Sequence, residues 1–169
     1  ETNFMNKKPS NKTLVVFAVL LPPAIVFFLI SKFGITVPFW DQWELVPLLE
    51  KLHSHTLTIG DLWMQHNEHR IIFPQTLMLI LAHLSGWNIF LELAASFIFA
   101  VLTLLCLLSI LRRTSDSTQC TWLKIIFSCL VFSTVQYENW CWGWQIQLFM
   151  SIFETVAAVC ALTRWPGKH

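Results

Sequence analysis

The sequence predicts an all-α integral membrane protein, with about four transmembrane helices and interfacial amphipathic helices in a large first outer loop. Three observations carry this. Hydrophobic residues fill 55% of the 169 positions and charged residues only 12%, where a soluble domain carries about 25% charged residues. Apolar runs of roughly membrane length alternate with polar stretches, and the mean hydropathy is +0.58. Six of the nine tryptophans sit at the ends of apolar runs (Trp40, Trp43, Trp87, Trp122, Trp140, Trp165), where an aromatic belt would meet the membrane boundary. A net charge of +1 without a basic stripe gives no footprint for nucleic acid.

The first apolar run, Thr13 to Ile30, follows Lys7, Lys8 and Lys12. It predicts a span over 13–30, kinked at Pro22 and Pro23 as membrane helices tolerate. No clear small-x-small triplet follows it, which argues against a cleavable signal peptide. The outer loop, 31–87, holds amphipathic pieces. In "DQWELVPLLEKL", Trp43, Val46, Leu49 and Leu52 recur at helical spacing, as in a helix lying along a membrane surface. "GDLWMQHNEHR" predicts a second such helix with Asp61 as its N-cap. The run Ile71 to Leu84 is too short to span and reads as interfacial or re-entrant. Further spans are expected over 88–111, 122–137 and 144–163, the whole chain 1–169 forming one membrane domain.

Positive charge orients this scheme. If 71–84 does not cross, the N-terminal lysines, the Arg112/Arg113/Lys124 loop and the Arg164/Lys168 tail share one side, the cytoplasmic one. The large loop and the "QYENWCWGWQ" turn then lie on the periplasmic, lumenal or extracellular side. Neither end reads as a natural domain boundary, so the chain reads as a piece of something longer.

The polar residues of that outer face are the candidate site. His66 and His69, three apart with Glu68 between them, share a helix face and could ligate a divalent metal with Asp41 or Glu138. The HExxH order is absent, which removes the usual zinc-protease reading. Asp41 and Glu44 are the candidate catalytic carboxylates. Asp41 stands between two tryptophans, partly desolvated, which suits a general base. Its structural alternative is an N-cap, with Glu44 three residues on as in a capping box. Arg70 has the fork that suits phosphate oxygens, and it could equally snorkel to headgroups. Glu138 and Gln145 flank Trp140, Trp142 and Trp144, which could stack on a sugar or anchor the turn. Glu92 and Glu154 interrupt apolar runs, where an acid needs a purpose or a partner. The five cysteines, Cys106, Cys120, Cys129, Cys141 and Cys160, form no CxxC, so a zinc or redox cysteine site has little support. No span reads as a row of polar residues, which argues against a transporter or channel.

The helix that delivers "FWDQWE", the passage "HNEHRIIFPQTLMLILAHLSGWN" and the turn "ENWCWGWQ" together resemble the N-terminal region of the GT-C superfamily of membrane glycosyltransferases. The resemblance implies sugar transfer from a polyprenyl-phosphate donor on the outer face, with Asp41 matching the catalytic aspartate of the first outer loop. "IIFPQTL" stands where many members carry "PPL", and Gly86 ends the helix as a glycine does there. Members have more spans than are read here, so the resemblance implies an N-terminal portion or a remnant, inactive alone. The alternative is a non-catalytic accessory subunit of a larger membrane complex, its histidines ligating a pigment or haem.

Overall fold

The computed structural model describes residues 11–65, 70–114 and 119–164. It is helical, with no strand among the described residues. The helices are α1 (Asn11–Phe33), α2 (Val46–His53), α3 (Ile59–Leu62), α4 (Ile72–Ser85), α5 (Ile89–Thr114), α6 (Gln119–Val131), α7 (Tyr137–Cys141) and α8 (Ile146–Arg164). Short 3-10 turns precede α2 (Trp40–Leu45), α7 (Thr134–Gln136) and α8 (Gly143–Gln145). Three helical stretches are long and apolar enough to cross a membrane, Lys12–Phe33, Ile89–Thr114 and Gly143–Arg164. On length and composition the chain belongs in a lipid bilayer.

Helix α5 is the centre. It packs most extensively against α8 and also meets α1, α4, α6 and α7, while α1 packs on α6 and α7. One core cluster joins Val26 and Ile30 of α1 to Leu93, Ala100 and Leu104 of α5, with Phe132, Trp140 and Phe149. A second lies under the segment between α1 and α4, where Leu45, Leu48, Ile71, Met78, Leu79, Trp144 and Ile146 are buried together.

Helix α1 runs unbroken through Pro22 and Pro23. Pro23 has no N–H for the carbonyl of Val19, four residues back. Ser128 of α6 fills that gap, donating its hydroxyl to Val19 O at 2.6 Å from a fully buried position. The kink-prone site is therefore a joint between two helices, with the freed backbone acceptor satisfied by a neighbour.

Helix α4 has 14 residues and ends at Gly86, in the left-handed region at φ 66°, where a glycine carries no steric penalty. Trp87 follows at φ 63°, and the chain turns directly into α5.

Two local expectations change. Asp61 is the third residue of α3 and not its N-cap. Thr58 caps the helix, and the pair reciprocates: Asp61 N donates to Thr58 Oγ1 at 3.3 Å, and Thr58 N donates to Asp61 Oδ2 at 2.8 Å. In the Trp40–His53 segment the face laid on the protein is Gln42, Leu45 and Leu48. The Trp43, Val46, Leu49, Leu52 stripe lies one position round, with Trp43 57% exposed. The second stripe is used in part as well: Leu49 packs against the buried cluster, and the Trp43 ring meets Trp87 at 6.2 Å.

Candidate functional site

The 3-10 turn that carries Asp41 is clamped from below. Gln42 is fully buried. Its Oε1 accepts from Phe39 N at 3.1 Å, and its Nε2 donates to Glu92 Oε2 on α5 at 2.7 Å. The carbonyl of Phe39 accepts from Trp142 Nε1 at 3.1 Å. Both backbone groups of Phe39 are thus tied to side chains, one from its own turn and one from the turn before α8. Ile35 N adds a bond to Cys141 O at 2.9 Å.

Gly143 lies where these pieces meet, close against the buried pair. A Cβ there would stand 2.5 Å from Glu92 Oε2 and 2.7 Å from Gln42 Nε2. A side chain there would have to push the ends of the buried Gln42–Glu92 pair aside. Glu92 Oε1 and Trp87 Nε1 are buried without hydrogen-bond partners among the described residues. They are an acceptor and a donor in the same neighbourhood.

Above this joint Asp41 is half-exposed and Glu44 exposed. Asp41 occupies the second position of the turn, and the N-cap is Phe39, so the capping-box reading of Asp41 with Glu44 is corrected. Trp40, 72% exposed, holds φ 51°, an uncommon conformation for a bulky residue. Its ring lies 6.1 Å from Trp142, and Phe39 lies 5.9 Å from Trp142. The loop after α1 and the 137–145 turn therefore form one aromatic surface around the Asp41 turn.

The residues of that second turn divide. Trp142 is half-buried in the surface just described. Glu138 is exposed and accepts from Tyr137 Oη at 3.0 Å. That bond and the charge behind it raise the Tyr137 phenol above its ordinary value of 10.0. Trp140 is fully buried, its ring set between Phe132 (5.8 Å) and Phe149 (4.3 Å), with Nε1 donating to Ser133 O at 3.0 Å. Both ring faces are taken, so it is placed to anchor the turn and not to stack on a sugar. Trp144 is 2% exposed, in the second core cluster.

Arg70 and Gln145 come together across a cleft of about 590 Å³ between the start of α4 and the first turns of α8. Ile71, Phe73, Pro74 and Leu148 supply apolar wall, and Gln147, Ser151 and Glu154 a polar one. The Arg70 guanidinium lies over the Trp63 ring at 5.2 Å, a cation–π contact that leaves its fork available. The cleft's Gln145 belongs to the same turn as Gly143, which meets the Asp41 turn, so cleft and carboxylate share one support.

The proposed metal ligands His66, Glu68 and His69 lie outside the described residues. Among the described residues no three His, Cys, Asp or Glu side chains are grouped to hold a metal. His53 and His83 approach each other, ring centres 5.8 Å apart; their 30-residue separation hid this pair from pattern reading.

Nothing local in the sequence marks Gln42 or Gly143, because each acts through contacts distant in the chain. The row Gln147, Ser151, Glu154 was legible at i, i+4, i+7 spacing, and it corrects the expectation that no span carries polar residues in a row. Comparison with protein-family models, curated proteins and solved structures finds no match.

Proposed function

We propose that this chain is the N-terminal portion, or a remnant, of a GT-C-like membrane glycosyltransferase that takes sugar from a polyprenyl-phosphate donor at the outer membrane face. One observation supports it above others. The turn bearing Asp41 and the cleft bordered by Arg70 and Gln145 are built on one joint, at Gln42, Glu92 and Gly143.

In this reading Asp41 takes the proton of an acceptor hydroxyl. The hydroxyl oxygen attacks the anomeric carbon of the donor sugar, and the bond to the lipid phosphate breaks. Arg70 meets the phosphate with two N–H groups, stabilising the charge that grows on the leaving oxygen. Gln145 orients the head. Glu44 lies on the same exposed face. The apolar side of the cleft, Phe73 and Leu148, receives the start of the lipid chain.

The topology belongs to the same proposal. Helix α6 has 13 residues, about 20 Å at 1.5 Å per residue, against a hydrocarbon core of about 30 Å. With its flanks it makes a fourth crossing, which leaves both termini cytoplasmic and the Asp41 loop outside, as the positive-inside rule asks.

The test is sugar transfer from a polyprenyl-phosphate sugar in membranes that hold the whole native protein. Asp41→Asn should abolish transfer while the protein still inserts. Unchanged transfer would remove the proposal. A second reading, a non-catalytic transmembrane subunit of a larger complex, is favoured by the exposed carboxylate of Glu154 on α8. Its measurement is the size and absorbance of the particle purified in mild detergent. A small colourless particle counts against it.

A further inference from the structure

Helix α8 uses one face for the fold. Ile146, Phe149 and Cys160 are buried, and Phe153 meets Phe99 of α5 at 5.7 Å. More than a quarter-turn away runs a different row. Gln147, Ser151 and Glu154 line the cleft beside α4, and Ala158 continues their line. Ser151, Glu154 and Ala158 are all exposed.

Glu154 lies eight residues after Ile146 and ten before Arg164, about 12 and 15 Å along the axis. That is mid-span in one of the three stretches able to cross a membrane. An acid at that depth normally faces a bundle interior and a partner. Among the described residues Glu154 has no hydrogen bond or ion pair, and Arg70 is turned onto Trp63.

The hydroxyls beside it are spent. Ser151 Oγ donates to Gln147 O at 2.7 Å, and Thr155 Oγ1 donates to Ser151 O at 2.9 Å. Only lone pairs are left, so from Ser151 to Glu154 this wall presents acceptors. What covers it must bring donors or positive charge. Helix α4, at 14 residues, is too short to cover the whole face. The small side chains Ser151 and Ala158 let a neighbouring backbone come close.

We propose that this face of α8 docks a further transmembrane helix, one that places a cationic or strongly donating side chain opposite Glu154. The inference stands whether or not Asp41 is a catalytic base.

The test uses the intact protein in phosphatidylcholine vesicles, labelled with a fluorescence donor. The probe is an acceptor-labelled Leu/Ala transmembrane peptide with one mid-span Lys, compared with its Leu counterpart. Energy transfer should show the Lys peptide bound roughly three- to thirtyfold more tightly, the range of single polar contacts between membrane helices. Glu154→Leu should remove the difference. Equal binding of the two peptides overturns the proposal, as does a Lys preference that survives in Glu154→Leu. So does self-association of the chain through this face that excludes both peptides. Glu154→Gln, which keeps the shape of the side chain and removes its charge, serves if Glu154→Leu folds poorly: it should weaken the Lys preference, and an unchanged preference overturns the proposal.

Discussion

Gln42 and Glu92, fifty residues apart in sequence, share a buried hydrogen bond of 2.7 Å that ties the turn before α2 to the central helix α5. Removing one partner of a buried pair leaves the other desolvated and unpaired, a cost of about 1–3 kcal/mol. Glu92→Leu should therefore destabilise by about that much, while Glu92→Gln, which retains an acceptor for Gln42 Nε2, should cost less. Tryptophan fluorescence during denaturation in mixed micelles would measure both. Equal stability of Glu92→Leu and the parent would show the bond to be energetically idle.

Gly143→Ala attacks the same joint by crowding it. The new methyl would fall 2.5 Å from Glu92 Oε2 and 2.7 Å from Gln42 Nε2. Overpacking of this kind costs about 1–3 kcal/mol. The effect should shrink in a Gln42→Ala background, where one of the two clashes is gone. Full additivity in that double-mutant cycle would contradict the contact.

The proline joint makes a second coupled pair. Ser128→Ala leaves Val19 O without its donor and should cost about 0.6–1.7 kcal/mol, as hydrogen bonds between membrane helices do. In Pro23→Ala the backbone N–H of residue 23 returns to serve Val19 O, so the serine should matter less. Identical Ser128→Ala costs in both backgrounds would show that the hydroxyl acts elsewhere.

The α2–α3 segment also carries a pH dependence. Asp61 is held down from 3.8 to about 2, first by its hydrogen bond with Lys51 and then by the Thr58 hydroxyl and N–H. Its folded value lies below its unfolded one. The stabilisation is thus fully present above about pH 4 and is lost as pH falls through about 2. Proteolysis or amide exchange of residues 51–63 should rise over that window, and Asp61→Asn should be open already at neutral pH. A loop whose protection ignores both pH and the substitution would contradict the pairing.

The long helices were legible because hydropathy alone determines them. Expected spans over 13–30, 88–111 and 144–163 correspond to α1, α5 and α8; α1 and α5 run a few residues past the apolar run, to Phe33 and Thr114, while α8 begins two residues later than expected and ends at Arg164. The fourth, expected over 122–137, stops at Val131, because the chain tightens into a 3-10 turn with Ser133 Oγ accepting from Val135 N. Glu92 stood out as an acid in an apolar run, but its partner did not, since nothing local marks Gln42 as buried. Trp140 misled in the other direction. Alternating tryptophans look like a platform, yet the backbone bends between Cys141 and Gly143 and sends Trp140 and Trp144 inward and leaves Trp142 half-exposed.

The proposed site needs the Asp41 turn and the 137–145 turn to form one face on one side of the membrane. The most direct measurement is labelling of Asp41→Cys and Gln145→Cys by a membrane-impermeant thiol reagent, in a background without the native cysteines. Both positions should label from the outer side of sealed vesicles and neither from the cytoplasmic side. Labelling of the two from opposite sides would contradict the shared face, and with it the site.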